Sequence, residues 1–257
     1  MQARSDTPLV SVIMPLYNAE SFVSEAIESV RCQTVENWEL LVIDDCSTDG
    51  SVDVARKYCE IDPRIKLLQN DKNSGVAKTR NFGISRAMGQ YIALLDSDDY
   101  WKPLFLEKML SRAKETQADI IYCSYEITDE DGKKQCNDFI VPTETDFRSS
   151  VVRSVITCST ALLTAKTAKE NPFPTDVYHE DIALWFSLLK NGSTARGVPE
   201  VLATYRKRKA SRSAGKLNSA LRRWPIYRKY LKMSFFQSAS AMIRYAYYGL
   251  IKYKRIK

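Results

Sequence analysis

Short apolar runs alternate with helical periodicity through the first half of the chain. Val10–Met14 reads as a strand, and Ala19–Gln33 has helical spacing through Phe22, Val23, Ala26, Ile27 and Val30. A strand at Glu39–Ile43, a helix at Ser51–Cys59 and a strand at Ile65–Leu68 follow. Next come a helix at Val76–Met88, a strand at Tyr91–Leu95 and a helix at Leu104–Thr116. Strand–helix alternation of this kind predicts an α/β domain whose parallel sheet carries helices on both faces. In such sheets ligands bind beyond the carboxyl ends of the strands. The polar clusters Tyr17-Asn18, Asp44-Asp45 and Asp96-Ser97-Asp98-Asp99 all fall there.

The pattern changes after residue 119. Asp119–Thr128 and Lys133–Val141 flank Asp131-Gly132, a hairpin signal. Glu180–Lys190 returns to helical spacing and stops at Asn191-Gly192. From Trp224 onward, apolar residues at 224, 227, 231, 235, 239, 242 and 246 predict one or two amphipathic helices, with Pro225 in a first turn.

Charge divides the chain in two. The net charge is +7, yet Arg206–Lys257 holds sixteen Lys and Arg and no Asp or Glu, so the remainder is net acidic. An acidic body with a basic tail predicts different tasks for the two regions. Six scattered cysteines and one histidine, His179, make no zinc framework and read as reduced thiols of a cytosolic protein. The polar Met1–Thr7 segment predicts no signal peptide, and no run approaches the length of a membrane span.

Asp96 and Asp98, two apart at the end of an apolar strand, can converge on one point. Carboxylates so close repel unless a cation sits among them, and a hard divalent ion with positions left for phosphate oxygens is one answer. A solvated acidic turn is the other. The first strand leads into Pro15-Leu16-Tyr17-Asn18-Ala19, with no glycines for a dinucleotide fingerprint or a phosphate loop. That excludes the usual dehydrogenase and P-loop kinase designs. Within Asp44–Gly50, Ser47 or Asp49 can cap the next helix while Asp45 accepts a hydrogen bond from a ligand. Lys78 and Arg80, on a helix N-terminal turn, suit either a phosphate or base contact or a salt-bridged helix face.

These segments, Val10–Asn18, Val42–Gly50, Asn73–Asn81 and Leu94–Asp99, resemble in order and spacing the successive blocks of the family 2 glycosyltransferases. The likeness covers about residues 8–206. It implies a GT-A fold, and an inverting transfer that most often uses a UDP-sugar with Mg²⁺ or Mn²⁺. By the resemblance, Pro15, Tyr17 and Asn18 lie at the nucleoside, and Asp45 meets the uracil. Lys78 and Arg80 flank the base or diphosphate. Asp96, with Ser97 beside it, sits near the ribose and metal, and Asp98 is the metal ligand. Glu180-Asp181 matches the family's downstream acidic pair, with Asp181 as the catalytic base. Tyr205-Arg206, followed by Ser211 and Ser213, resembles the late segment that folds over the donor diphosphate.

Two regions are therefore expected: a catalytic domain over residues 1–215 and a basic helical tail over 216–257. The tail from Leu217 reads as an interfacial anchor on an anionic membrane. A nucleic-acid arm, which is the less favoured partner, and a helix packed on the domain are its alternatives. The expected activity is transfer from a UDP-sugar to the hydroxyl of a saccharide or lipid-linked saccharide acceptor, in O-antigen or capsule assembly. The setting implied is the cytoplasmic side of a bacterial inner membrane. Transfer to polyprenyl phosphate itself, or a non-catalytic basic binding protein, are the rival readings.

Overall fold

The computed structural model describes residues 7–208 and 222–254, with side chains as far as Tyr247. Val10–Leu16 (β1) and Trp38–Asp44 (β2) are buried along their whole length, as expected of strands covered on both faces. Ile65–Gln69 (β3) and Tyr91–Leu94 (β4) complete a parallel set in the order β3-β2-β1-β4. The intervening helices are Val23–Arg31 (α1), Ser51–Ile61 (α2) and Val76–Arg86 (α3). α3 lies hard against the sheet. A Cβ on Gly83 would stand 2.6 Å from Ile43 Cδ1 and 2.8 Å from Ile13 Cγ2, so only glycine permits that approach.

The second half of the sheet is mixed. Tyr100–Trp101 (β5) is a short edge strand, followed by Phe105–Thr116 (α4), Ile120–Thr128 (β6), Glu144–Thr145 (β7) and Phe147–Val152 (α5). Then come Ala161–Thr164 (β8), Ala165–Glu170 (α6), Glu180–Lys190 (α7) and the long strand Ala195–Arg206 (β9). The order continues β4-β8-β6-β9-β5, with β8 antiparallel to β4 and β6, and β6 parallel to β9. A GT-A architecture results, α/β with its parallel half first.

The expected hairpin is only half formed. Its turn is present, with Gly132 at φ +78°, but the return arm makes only the bridges Thr128–Lys134 and Tyr125–Phe139 among the described residues. β6 instead satisfies its backbone against β8 and β9.

The tail forms two helical segments, within the expected one or two. Arg223–Tyr230 is a short helical segment, the chain breaks at Leu231–Ser234 with Lys232 at φ +53°, and Phe235–Lys254 (α8) follows. Of the expected spacing, Tyr227 and Leu231 are buried and Met242 packs beside them, whereas Phe235 and Ala246 are exposed. Ile226, Tyr227, Leu231 and Ala241 form a second apolar cluster with Val151 of α5 and with Ala183 and Phe186 of α7. Tyr227 donates to the Val151 carbonyl at 2.9 Å, and Lys190 donates to that of Leu231 at 2.7 Å. The start of the tail thus packs on the body.

Candidate active site

A cavity of about 970 Å³ opens at the carboxyl ends of β1 and β4, and Pro15, Tyr17, Asn18, Asp45, Lys78, Arg80, Asp96, Ser97, Asp98, Asp181 and Arg206 all line it. Its first wall is made of loops that hold each other. Asn18, at φ +47°, gives its N–H to Ser47 Oγ at 3.1 Å and takes the Thr48 N–H on Oδ1 at 2.8 Å. Asp49 accepts the N–H of Ser51 at 3.0 Å and of Glu20 at 3.1 Å, tying the start of α2 to the loop after β1. Pro15 and half-exposed Tyr17 present their side chains to the same wall.

Asp45 is buried and shapes the next wall. Oδ1 accepts from Asn70 Nδ2 and Ser74 N–H, both at 2.8 Å, and Oδ2 accepts the Gly75 N–H at 2.8 Å. Gly75, at φ +81°, needs that left-handed conformation to turn the chain into α3. A carboxylate offers about four acceptor positions, so Asp45 keeps roughly one for a ligand. Lys78, on the first turn of α3, is exposed at the rim.

The aspartate turn after β4 divides its labour. Asp99 is buried at the cavity wall with both oxygens engaged: Oδ2 accepts Ser159 Oγ–H at 2.5 Å and Oδ1 accepts the Arg206 N–H at 2.8 Å. Ser159 Oγ also accepts the Asp96 N–H at 3.1 Å, and its carbonyl takes the Trp101 indole N–H at 2.7 Å. This lock leaves Asp96 and Asp98 facing the cavity, both partly exposed. Burial, then the charge of Asp96, push Asp98 up to about 6, while Arg208 at 3.6 Å pulls it back.

Such a pair suits a divalent cation. Two carboxylates under mutual repulsion offer hard oxygen donors, and phosphate oxygens can complete the shell. Among the described residues no three His, Cys, Asp or Glu side chains form a site by themselves, so the ligand must supply the rest. Asp99 is too engaged to join.

Arg80 crosses the floor. It is buried, with Nη2 donating to Asp96 Oδ1 at 2.5 Å and Nη1 to Glu180 Oε1 at 3.1 Å. Its guanidinium therefore couples the aspartate turn to the first turn of α7 rather than standing free before a phosphate. The next residue, Asp181, is half-buried and lines the cavity. Burial, then the adjacent Glu180 charge, raise its carboxyl above the usual range, and Arg80 partly offsets them.

Arg206 ends β9 turned toward α1. Its guanidinium meets Glu25 Oε2 at 2.5 Å and lies over Phe22 and Tyr100. Arg208, which the sequence reading passed over, is the cation beside Asp98, and it also donates to the Asn18 carbonyl at 3.3 Å. The alternating Arg206-Lys207-Arg208 run was its available signal. Ser159 carried no signal, since a lone serine in an irregular segment reveals its partners only in three dimensions. Ser211 and Ser213 lie outside the described residues.

The fold and this constellation define a nucleotide-sugar transferase of the GT-A class. Residues 11–151 match the family described as "Glycosyl transferase family 2", and the chain belongs to that family. It is 36% identical over 239 residues to a Bacillus subtilis (strain 168) glycosyltransferase named for teichuronic acid biosynthesis, TuaG, spanning 93% of this chain and 95% of the relative. It is 36% identical over 222 residues, 86% of each chain, to the Escherichia coli UDP-Glc:alpha-D-GlcNAc-diphosphoundecaprenol beta-1,3-glucosyltransferase WfgD. Among solved structures it resembles Staphylococcus aureus TarS 1–349 in complex with UDP-GlcNAc, with a TM-score of 0.72 at 21% identity over 92% of this chain and 71% of that one. It also resembles the mannosyltransferase PcManGT of Pyrobaculum calidifontis in complex with GDP-Man and Mn²⁺, with a TM-score of 0.65 at 20% identity over 90% of this chain and 66% of that one.

Proposed function

We propose that this chain is a metal-dependent, inverting glycosyltransferase that moves a hexose from a UDP-sugar to a hydroxyl of a lipid-linked saccharide. The observation that carries the reading is the buried bridge Asp96–Arg80–Glu180, which fixes the carboxylate wall and the Asp181 helix as two sides of one cavity. The names of the relatives support UDP-glucose and a diphosphoundecaprenol-linked acceptor as the first substrates to try.

Asp98, with Asp96 beside it, would hold Mg²⁺ or Mn²⁺. The ion, when bound, offsets negative charge developing on the UDP leaving group. Pro15, Tyr17 and Asn18 form the nucleoside wall, and the remaining acceptor position of Asp45 faces the base. Ser97, on the aspartate turn, and Lys78, at the rim, complete the donor side. Arg206 acts there through its backbone N–H on Asp99, which keeps the turn in shape.

On the opposite side, Asp181 accepts the proton of the attacking hydroxyl as the new glycosidic bond forms and the bond to UDP breaks. Attack from the face away from UDP inverts the anomeric centre. A base is needed for a hydroxyl and much less for a phosphate, so a cavity-lining carboxylate with a raised pKa favours the saccharide acceptor over polyprenyl phosphate. The setting is assembly of a surface polysaccharide such as O-antigen or capsule. The protein would work there in peripheral contact with the cytoplasmic face of the inner membrane. No helix among the described residues is long and apolar enough to cross a membrane. The test is release of UDP from UDP-sugars with Mn²⁺ and a diphospho-lipid-linked N-acetylglucosamine. Acceptor-stimulated, cation-dependent release supports the reading, and its absence with every nucleotide sugar contradicts it.

A further inference from the structure

α8 carries two faces of opposite fate. Ser238 and Ala241 are buried against the body, and Tyr245 is half-buried with its ring under the Arg223 guanidinium at 3.9 Å. At 100° per residue these positions lie about 140–200° around the helix from Phe236. Phe236, Ile243 and Tyr247 fall within about 40° of one another on the other side. They are 84%, 70% and 61% exposed. The helix has thus already used its packing face, and a second apolar stripe points outward.

The tail's own charge is of one sign. Arg228, Lys229, Lys232 and Arg244 are exposed, and the sequence has no acidic residue after Glu200. The start of the tail is also tied to the cavity. Arg222 stacks on Tyr178 at 3.5 Å, Tyr178 lines the cavity beside His179 and Asp181, and Lys229 pairs with Asp176 at 3.1 Å. The tail therefore borders the wall that holds the proposed base.

We infer that the outward stripe of α8, centred on Phe236 and Ile243, docks the protein on an anionic bilayer and seats the Asp181 side of the cavity at headgroup level. The inference rests on the reading of the acceptor as lipid-linked. An apolar stripe with Arg244 on the same helix, in a tail without acidic residues, matches the layering of acyl chains under anionic headgroups. A second copy docked stripe to stripe would place these same cations close to their own kind. The stripe is not the one expected from sequence: Phe235, Ala239, Met242 and Ala246 lie on the flank between the two faces. The docked orientation holds the cavity beside the surface, so a short membrane-bound saccharide reaches Asp181 without leaving its lipid.

The test is flotation of the full-length protein with vesicles of equal parts phosphatidylglycerol and phosphatidylcholine, and with phosphatidylcholine alone. The parent should bind the anionic vesicles and lose binding as salt rises. The double variant Phe236→Ser/Ile243→Ser should bind them on the order of tenfold or more weakly. Both positions are exposed, so its melting temperature and its rate on a water-soluble acceptor analogue should match the parent. A variant that floats as well as the parent overturns the docking face. So does a parent indifferent to both vesicles, or one that is a dimer dissociated by the two substitutions and binds no vesicle. Vesicle binding by a parent that transfers sugar to no lipid-linked acceptor supports the face and contradicts the transfer reading. Transfer without vesicle binding does the reverse.

Discussion

Arg80 and Glu180, one hundred residues apart, meet as a buried ion pair at 3.1 Å, and the other arm of Arg80 holds Asp96 at 2.5 Å. A buried Glu180 and a partly exposed Asp96 share this one buried guanidinium, and the Glu180 charge is tolerable only while it is present. Removing one partner of a buried pair costs about 3–5 kcal/mol, since a charge is left uncompensated. Arg80→Met should therefore unfold at markedly lower denaturant concentration. Arg80→Lys should fold better yet transfer poorly, because an ammonium cannot span both carboxylates as the planar fork does. In a double-mutant cycle, Arg80→Met with Glu180→Gln should cost clearly less than the sum of the two. Additivity within about 0.3–0.5 kcal/mol contradicts the bridge.

The cation prediction separates Asp98 from Asp99. Asp98 faces the cavity, so Asp98→Ala should fold and bind UDP-sugar weakly while losing nearly all transfer. EDTA should abolish the parent's activity until Mn²⁺ is restored. Asp99 is locked to Ser159 and Arg206 N–H, so Asp99→Ala should also lower stability. Thermal unfolding and rate assays on both variants decide it. Equal melting temperatures for the two contradict the division of labour.

Asp45 predicts a change in donor binding. Asp45→Ala removes the acceptor of the Ser74 and Gly75 N–H groups, whose hydrogen bonds are part-buried, so the loss falls toward the lower part of about 1–3 kcal/mol. The loop before α3 loosens, so KM for UDP-sugar should rise roughly tenfold by that energy, with a smaller change in kcat. Initial rates over a donor series test this, and an unchanged KM contradicts it.

Much of this was legible in one dimension, and the reason is local. The parallel half of the sheet follows from apolar runs such as Val10–Leu16 alternating with amphipathic helices, and Asp96 and Asp98 emerge together because strand spacing puts them on one side. What the sequence hid is non-local. Asp99 looks like a third cavity carboxylate until Ser159, sixty residues on, takes it. Arg80 looks like a phosphate clamp until Glu180 closes on it. The spacing of the tail left one helix and two equally open, and the choice is made by a break at which Lys232 takes a left-handed conformation. Such a break has no strong residue signal when no glycine or proline marks it.

Glu39 gives a prediction about stability far from the cavity. Burial alone would raise its carboxyl, but hydrogen bonds from Ser11, the Met88 N–H and Lys66 outweigh it and hold the pKa below the ordinary value. A depressed folded-state pKa contributes stability that is complete above the unfolded value and is lost as pH falls through the folded one. Glu39→Gln should melt below the parent at neutral pH, and the two curves should draw together as pH falls below the ordinary carboxylate range. A difference that stays constant with pH contradicts the role given to the charge.

The central claim is that Asp181 takes the proton from the acceptor. Its raised pKa places the acid limb of kcat above the range of an ordinary carboxylate, because only the ionised form accepts a proton. The direct measurement is sugar transfer by Asp181→Asn at saturating UDP-sugar and Mn²⁺, with donor affinity measured by calorimetry on the same preparation. The account predicts unchanged donor affinity and a rate about 10²–10⁴-fold lower. A variant that binds donor normally and transfers at the parent's rate contradicts it.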